Sequence, residues 1–351
     1  IIKPNYAEAH SNLGNVLKEL GKIDEAVASC KKAIVIKPGL AEAHYNLGNA
    51  LHVVGNFDEA VVSFNKAIAI NPDYAEACSN LGNALQGLGQ LDEALASYKK
   101  AIAIQPDNST CHSSILQTEQ YRLGQNSKNL YKIHKDWDKR HAQHFQATWP
   151  KHLNTPDIGR ILRIGFVSPD LGRHPVGYFL VQFFEKILKT EIETVIYSNR
   201  LIHNLDDLSD RIKAASSFWR DVNGIPDDKL AKIILGDKID ILFDLTGHFS
   251  ENRLLLFARK PAPIQVSWAG YVGTTGLSAM DYLLSDIHST PLDEEKYYSE
   301  QIIRMAAWIC YEPPTYAPEV GPSPFKKNGH MTFSSFCNPA KINEEVISVW
   351  A

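Results

Sequence analysis

The sequence predicts two successive architectures, an all-α repeat region followed by an α/β region with a parallel sheet. Prolines recur every 34 residues at Pro4, Pro38, Pro72 and Pro106, which marks the first third of the chain as an internal repeat. From residue 160 onwards, short β-branched runs alternate with helical patterns, as they do in βαβ units. The 351 residues are enough for two or three domains, each with a core of its own.

Composition excludes several classes of protein. The formal net charge of −4 and the pI of about 6.4 lack the basic excess that binding to nucleic-acid phosphates requires. No stretch approaches the ~18 apolar residues of a membrane span. The five cysteines show no C-x-x-C spacing, which favours a reducing compartment over disulfides or a zinc site. We therefore expect a cytoplasmic protein, nucleocytoplasmic in a eukaryote, that binds neither nucleic acid nor membrane.

Each 34-residue unit has the pattern of a helical hairpin. In the first unit, a helix over residues 7–20 ends at Gly21, and a second helix begins near Asp24, an acidic residue favoured at a helix N-terminus. Gly14 and Ala26 recur in every unit and let the two helices approach closely. Leu13 recurs as well and supplies apolar surface that one hairpin cannot cover, so neighbouring units must stack.

This spacing and residue order resemble the tetratricopeptide repeat. The resemblance extends over residues 5–106 and predicts three repeats within residues 1–106. After residue 106 the period fades, and helical patterns over 111–124 and 130–144 predict capping helices, followed by a linker that ends at 158. His134, His141 and His144 lie at helical spacing, and without a fourth ligand they favour solvated or interface histidines over a metal site.

Asparagines recur at two positions of the first helix in each unit, three residues apart and on one face. They are Asn12, Asn15, Asn46, Asn49, Asn80 and Asn83. One interpretation is that these amides hydrogen-bond adjacent repeats to each other. The other is substrate binding, because side-chain amides can donate to and accept from any polypeptide backbone.

The α/β region is predicted to have strands at 161–168, 193–198, 239–245, 264–268, 281–285 and 331–336. Helical patterns at 177–189 and 227–236 provide crossover connections. Because ligands bind at the carboxyl ends of parallel strands, three loops are candidate site segments: 169–175, 246–248 and 270–276.

Two histidines in these loops are candidate catalytic groups. His174 precedes a predicted helix, where an imidazole can accept a proton or bind a phosphate or sugar, or can simply cap the loop. His248 has the same two interpretations. The loop at 270–276 can bring backbone amides to a ligand, but it matches neither dinucleotide-binding nor P-loop patterns.

Three strings identify a family resemblance: ILRIGFVSPDLGRHPVGYF, IDILFDLTGHFSENRLLLFARKPAPIQVSWAGYVGTTGLSAMDYLLSD and MTFSSFCNPAKINEEVISVW. They resemble the catalytic region of the O-GlcNAc transferase and SPINDLY family of protein O-glycosyltransferases, from about residue 160 to the last residue. Tetratricopeptide repeats before such a region are that family's own architecture. The LTGH and NPAKI segments are closer to the SPINDLY and bacterial branch than to the animal enzyme.

The resemblance implies a fold and a reaction. It predicts a Rossmann-like lobe of a GT-B type glycosyltransferase over residues 159–329, and the start of a mostly missing second lobe over 330–351. The implied reaction is an inverting, metal-free sugar transfer to serine or threonine of acceptor proteins. The donor is UDP-N-acetylglucosamine, as in the animal-type enzymes, or GDP-fucose, as in plant SPINDLY proteins.

The resemblance also assigns residues. His174 with Pro175 matches the family's His-Pro motif in the active site, and the repeat asparagines match those that hold acceptor backbone. Its neighbours Asp170, His248 and Tyr271 are further catalytic candidates. Asn338 and Lys341 are candidates for substrate binding from the start of the second lobe, and Gly270, Thr274 and Thr275 are candidates from the loop at 270–276. The alternative for Asp170, His248, Tyr271, Asn338 and Lys341 is a purely structural role.

Two limits follow from the same reasoning. The opening Ile-Ile-Lys-Pro is neither an initiator methionine nor a secretion signal, so we expect a segment of a longer protein. Because the family's nucleotide-binding residues lie mostly in the second lobe, we expect these 351 residues alone to bind neither UDP nor GDP tightly and to transfer no sugar. The alternatives are a non-catalytic adaptor and, less favoured because of the repeats, a nucleotide-sugar epimerase or small-molecule glycosyltransferase.

Overall fold

The computed structural model describes residues 6–157, 159–201, 204–309, 311, 313, 317–335, 341, 342 and 344–350. The first part is an α-solenoid of three helical hairpins. Its helices are α1 (Ala7–Glu19), α2 (Ile23–Ile36), α3 (Ala41–Val53), α4 (Phe57–Ile70), α5 (Ala75–Gly87) and α6 (Leu91–Ile104). Each hairpin turns at a glycine with φ near +75°, at Gly21, Gly55 and Gly89, a conformation that glycine adopts without strain.

Close approach of the two helices explains the other recurrent glycine, which is Gly14, Gly48 or Gly82 on the first helix of each repeat. A Cβ added at Gly48 would lie 2.6 Å from the Phe64 ring, and one at Gly82 would lie 2.5 Å from the Tyr98 ring. Phe64 and Tyr98 are both fully buried. The glycine on one helix therefore makes room for the large side chain on the other, which is how the hairpin buries an aromatic core.

The predicted capping helices are α7 (Ser109–Tyr121) and α8 (Ser127–His141), followed by a 3-10 helix at Gln143–Thr148. They do more than close the solenoid. Leu116 of α7 and Trp137 of α8 are buried in the same apolar cluster as Leu254 and Leu277 of the α/β region. The two helices therefore form a shared wall between the solenoid and the sheet.

The residues predicted as a linker are fastened to the α/β region. Trp149 Nε1 donates to Ala258 O at 2.9 Å, and Asn154 Nδ2 donates to Asp240 Oδ1 at 2.6 Å. Arg160 binds the same Asp240 carboxylate through both terminal nitrogens, at 2.6 and 2.7 Å. This network fixes the path of the chain into the first strand.

The α/β region is one parallel sheet of seven strands in the order β3-β2-β1-β4-β5-β6-β7. The strands are β1 (Arg163–Ser168), β2 (Glu193–Ser198), β3 (Phe218–Asp221), β4 (Ile241–Asp244), β5 (Ile264–Ser267), β6 (Tyr282–Ser285) and β7 (Gln301–Arg304). The helices of this region are α9 (Pro175–Ile187), α10 (Asp207–Ala214), α11 (Asp227–Gly236) and α12 (Leu254–Phe257), which lie between strands, and α13 (Phe325–Asn328) and α14 (Glu344–Trp350), which come after β7. One face of the sheet packs on α9 and α10, and the other on α8, α11 and α12.

Three strand predictions need correction. The short edge strands β3 and β7 were not predicted, because FWRD and QIIR carry too few apolar residues to stand out. The predicted strand at 331–336 is absent over 331–335, and residue 336 lies outside the described residues. A strand needs a neighbour to pair its backbone groups with, and no described strand pairs with this segment.

The strand order determines where the sheet has a crevice for a ligand. The chain runs outwards from β1 to β2 and β3, then returns to β4 on the other side of β1. The carboxyl ends of β1 and β4 are therefore the topological switch point, where ligands bind in open parallel sheets. Within the described residues, every helix is too short or too polar to span a bilayer.

Candidate active site

The loop after β1 is held rigidly at the switch point. Arg200 Nη1 donates to Pro169 O at 3.3 Å, and Ser209 Oγ donates to Leu171 O at 2.9 Å. A Cβ added at Gly177 would lie 2.0 Å from Gly172 O, so the loop and the first turn of α9 pack backbone to backbone. The loop presents its side chains from a fixed frame.

His174 is the N-cap of α9, with Pro175 at the first helical position. Its Nδ1 accepts the Val176 N–H at 3.4 Å, so the capping interpretation of this histidine holds in the structure. About 43% of the side chain is nevertheless exposed. The ring therefore has one nitrogen at the helix and the rest of its surface available to a ligand.

Asp170 lies next to His174, with Oδ1 3.8 Å from Nδ1. Burial raises the pKa of the Asp170 carboxyl, and the charges of His174 and Arg200 oppose that rise. A half-buried carboxyl with a raised pKa beside an imidazole at a switch point is the arrangement expected of an acid–base pair. The structure thus brings together Asp170, His174 and Pro175 of the predicted site.

The loop after β4 is built on Asp244, which sequence reasoning missed. Its carboxylate accepts the backbone N–H of Thr246 at 3.1 Å and that of Gly247 at 2.9 Å. Complete burial raises the pKa of Asp244 to about 6. The turn needs Gly247, whose φ is +59° and whose added Cβ would lie 2.1 Å from Tyr271 Cβ. The signal was present as an aspartate two residues before Thr-Gly at a strand end.

His248 is buried, with 1% of its surface exposed, and both ring nitrogens are engaged. Nε2 lies 2.8 Å from Thr275 O and Nδ1 lies 3.0 Å from Ser113 Oγ. Since a carbonyl can only accept, the proton belongs on Nε2 and the Ser113 hydroxyl donates to Nδ1. Burial, with His134 next to it, holds the pKa of His248 well below its usual value, so the ring is neutral.

Tyr271, like His248, is buried and hydrogen-bonded to one of the two capping helices. It is 2% exposed, and its hydroxyl donates to His134 Nε2 at 2.8 Å, while His134 Nδ1 donates to Leu130 O at 2.6 Å. Burial raises the pKa of Tyr271 well above its usual value. The catalytic role of His248 and Tyr271 stays a prediction, and their burial argues for a structural one that fastens α7 and α8 to the sheet.

The loop at 270–276 is also committed to internal contacts. Gly270 packs against Leu245 O, where a Cβ would lie only 2.0 Å away. Thr274 Oγ1 donates to Glu300 Oε2 at 2.6 Å, and the backbone N–H of Thr275 donates to Glu300 Oε1 at 2.8 Å. Glu300 is a buried carboxylate with no sequence signal. In this structure it occupies the groups of Thr274 and Thr275 that were predicted to bind substrate.

The repeat asparagines make contacts between adjacent repeats. Asn46 Nδ2 donates to Ser11 Oγ at 3.0 Å, and Asn80 Nδ2 donates to Asn49 Oδ1 at 2.7 Å. Within α5, Asn83 Nδ2 also donates to Asn80 Oδ1 at 3.4 Å, a contact inside one repeat. The first interpretation therefore has direct support. It does not exclude the second, because each amide has two donors and two acceptor sites, and these bonds use only part of them.

The six repeat asparagines are here called the amide ladder. Its last members, Asn80 and Asn83, line a cavity of about 310 Å³ between the solenoid and the loop after β4, here called the junction cavity. Its walls come from α3 to α5, α7 and that loop. It is lined by His52, Phe57, Ser79, Asn80, Asn83, Gln86, Gly87, Thr110, Ser114, Gln117, His248, Phe249, Ser250 and Asn252. The junction cavity thus joins the amide ladder to one side of the switch point.

Two predicted residues lie elsewhere. Lys341 is exposed, with Nζ 5.4 Å from the centre of the Tyr121 ring, and it lines a separate cavity of about 600 Å³ by the turn between α7 and α8. Neither Asp170 nor His174 lines that cavity. Asn338 lies outside the described residues.

The predicted histidine cluster is spread along the shared wall. His134 contacts Tyr271, whereas His141 contacts His112 at 2.5 Å, and His144 is exposed. Among the residues that the structure describes, no three His, Cys, Asp or Glu side chains are grouped so that they could hold a metal ion.

Comparison with known proteins identifies the two regions. A model described as glycosyl transferase family 41 matches residues 134–310, and tetratricopeptide repeat models match 14–55, 41–74 and 75–108. The family match begins inside α8, which agrees with the contacts of that helix to the sheet.

Relatives extend this result. Over 228 residues the chain is 38% identical to the "probable UDP-N-acetylglucosamine–peptide N-acetylglucosaminyltransferase SPINDLY" of Oryza sativa subsp. japonica, covering 63% of this chain and 24% of that protein. Over 200 residues it is 32% identical to the corresponding SEC protein of Arabidopsis thaliana, covering 54% and 20%. The chain spans about a quarter of the length of the curated relatives it matches.

A solved structure agrees along the whole chain. An O-GlcNAc transferase mutant from Thermobaculum terrenum matches with a TM-score of 0.90 at 32% identity, covering 100% of this chain and 66% of that one. This match confirms the architecture predicted from the sequence, which is a solenoid followed by a Rossmann-like lobe of the GT-B type. With its family model covering half of the residues, the chain belongs to glycosyl transferase family 41, with the O-GlcNAc transferase and SPINDLY proteins as its relatives.

Proposed function

We propose that this chain holds the acceptor-binding array and the first catalytic lobe of a protein O-glycosyltransferase. The substrate would be serine or threonine of an acceptor protein, and the donor UDP-N-acetylglucosamine or GDP-fucose. The observation that carries the proposal is the continuity of one surface. The amide ladder leads into the junction cavity, and the far wall of that cavity is the loop after β4 at the switch point.

The chemistry is an inverting displacement. The acceptor hydroxyl oxygen forms a bond to the anomeric carbon, the bond from that carbon to the diphosphate oxygen breaks, and the nucleoside diphosphate leaves with the electron pair. The hydroxyl proton must pass to a base or to the leaving group. Stabilisation of the diphosphate falls to groups that we expect mainly in a second lobe.

The neutral His174 ring can adopt either of two tautomers in this reaction, and each allows a different role. While Nδ1 accepts the Val176 N–H, the neutral ring carries its proton on Nε2 and can only donate from that atom. Accepting the hydroxyl proton at Nε2 requires the other tautomer, in which an Nδ1–H faces the Asp170 carboxylate 3.8 Å away. Asp170 is therefore proposed as the group that selects the tautomer of His174.

The test is a transfer assay on the protein with its complete catalytic region. UDP-N-acetylglucosamine and GDP-fucose are offered in parallel with a serine- and threonine-rich acceptor protein. We expect transfer from one donor, reduced at least ~100-fold by His174→Ala. His288→Ala is the matched control, since His288 is exposed at the same edge of the sheet.

For the 351-residue polypeptide alone we expect no transfer and no tight binding of UDP or GDP. The resemblance places most nucleotide-binding residues in a lobe of which these residues contain only the start. Incorporation of labelled sugar by the purified polypeptide would overturn this expectation.

The second candidate function is a non-catalytic adaptor. It is favoured by the burial of His248 and Tyr271, which leaves two of the four predicted catalytic side chains occupied by internal bonds. Absence of transfer from either donor, with tight acceptor binding retained, would support the adaptor over the enzyme.

A further inference from the structure

The junction cavity has no formal charge. Among the described residues that line it, none is Asp, Glu, Lys or Arg. Burial lowers the pKa of His52, and that of His248 lies well below its usual value, so both histidines are neutral near pH 7. In the chain as a whole, by contrast, 22% of the residues are charged.

Amides and hydroxyls supply the polarity instead. Amide side chains project from three elements, with Asn80, Asn83 and Gln86 on α5, Gln117 on α7 and Asn252 after β4. The rings of His52 and Phe57 lie 5.3 Å apart and form an uncharged aromatic wall. Such a lining can hydrogen-bond to a polypeptide backbone or to short polar side chains from several directions.

One amide lacks a full set of partners. The Tyr98 hydroxyl lies 2.8 Å from Asn83 Oδ1 and 3.3 Å from Gln86 Oε1. Gln86 Nε2 is shielded from solvent and has no hydrogen-bond partner in the described structure. Turning the amide over would pair the nitrogen with Tyr98 but would leave the oxygen unpaired, so one polar atom of Gln86 lacks a partner in either orientation.

We propose that the junction cavity is a specificity subsite, which admits an uncharged polar stretch of the acceptor polypeptide and rejects Asp, Glu, Lys and Arg. A charged side chain placed there would lose hydration and would find no opposite charge to compensate. The lining amides can donate hydrogen bonds to a backbone or a hydroxyl and accept them from it. This inference rests on the proposed function, because it requires the acceptor to follow the amide ladder towards the switch point.

The first test measures binding and needs no catalysis. Fluorescein-labelled 12-residue peptides of Ser, Thr, Gly and Pro are titrated with the 351-residue chain by fluorescence anisotropy. One Lys or one Glu is then placed at each peptide position in turn. We expect a charge at one or two adjacent positions to raise Kd at least tenfold, and a charge elsewhere to change Kd less than twofold. An equal effect at all positions would overturn the proposal.

The second test moves a charge into the wall. In Gln86→Glu, we expect the peptide with Lys at the sensitive position to bind at least tenfold more tightly than it binds the unmodified chain, while the Glu peptide gains nothing. Gln90→Glu is the matched control, because Gln90 is exposed and outside the cavity in the same repeat. The same gain in both variants would show a general charge effect and overturn the assignment.

Two measurements keep the test decisive. Urea unfolding checks that Gln86→Glu is folded, and if it is not, Gln117→Glu carries the same charge to the opposite wall on α7. Failure of every peptide to bind would overturn the proposed acceptor-binding array itself. Binding without discrimination against charge would leave that array intact and overturn only the subsite.

Discussion

The loops after β1 and β4 begin from similar sequence patterns and end in different environments. Each follows a buried parallel strand and carries a glycine and a histidine. His174 is about 43% exposed, whereas His248 is 1% exposed and neutral. The difference comes from outside the sheet. Ser113 of α7 reaches His248 and His134 of α8 reaches Tyr271, while none of the contacts described for His174 comes from these two helices.

Position at the carboxyl edge of a parallel sheet does not by itself make a residue functional. A histidine there is available for chemistry only if no other element covers it. The same α7 lines the junction cavity, so one side of the switch point is covered by a helix while the side with His174 stays exposed.

The largest expected effect is on stability, from His248→Leu. It leaves the Ser113 hydroxyl and Thr275 O without partners in a buried site, and we expect the free energy of unfolding to fall by about 4 kcal/mol. Urea denaturation measures the change. His288→Leu, at an exposed position after β6, is the control, with an expected change within about 0.5 kcal/mol. Similar losses in both variants would erase the contrast between the two loops.

The second effect is a pH dependence of the covered side. Burial lowers the pKa of His134 from 6.5 to about 4. The unfolded chain therefore takes up this proton first as the pH falls, and stability is lost between about pH 6.5 and 4, by about 3 kcal/mol in total.

Urea unfolding at several pH values measures the contribution of His134 to the pH dependence of stability. His134→Gln should reduce the slope of unfolding free energy against pH in that window, whereas His288→Gln should leave the slope unchanged. An unchanged slope in His134→Gln would mean that the shared wall does not depend on a neutral His134.

The smallest effect is on the open side. His174→Ala removes a single N-cap acceptor from a side chain that is nearly half exposed, and we expect a loss of about 1 kcal/mol or less. The same urea experiment measures it. A loss as large as that of His248→Leu would show that His174 is chiefly a structural residue and would weaken its proposed role in transfer.

Much of the fold was predictable because its signals are periodic. The 34-residue period predicted three hairpins, and the β-branched runs predicted β2 as observed and β1, β4, β5 and β6 to within a few residues. The edge strands β3 and β7 were missed because a strand with one neighbour buries few side chains and leaves a weak apolar pattern.

The site was only partly predictable, for a different reason. The pair of Asp170 and His174 lies within one loop, so local sequence was enough to suggest it. Asp244 and Glu300 were missed, because they act by accepting backbone and hydroxyl groups that the fold brings to them. The incomplete hydrogen bonding of Gln86 depends on its neighbours in space, which the local sequence does not specify.

The sequence by itself determined the two architectures, the order in which they occur, and the loops at the carboxyl ends of β1, β4 and β5, since these follow from periodicity and from the positions of the strands along the chain. Only the tertiary structure decided which of the two histidines is open, what the repeat amides contact, and that the cavity between the regions carries no charge. Those properties depend on contacts between residues that are distant in the sequence, such as His248 with Ser113, and no local pattern encodes them.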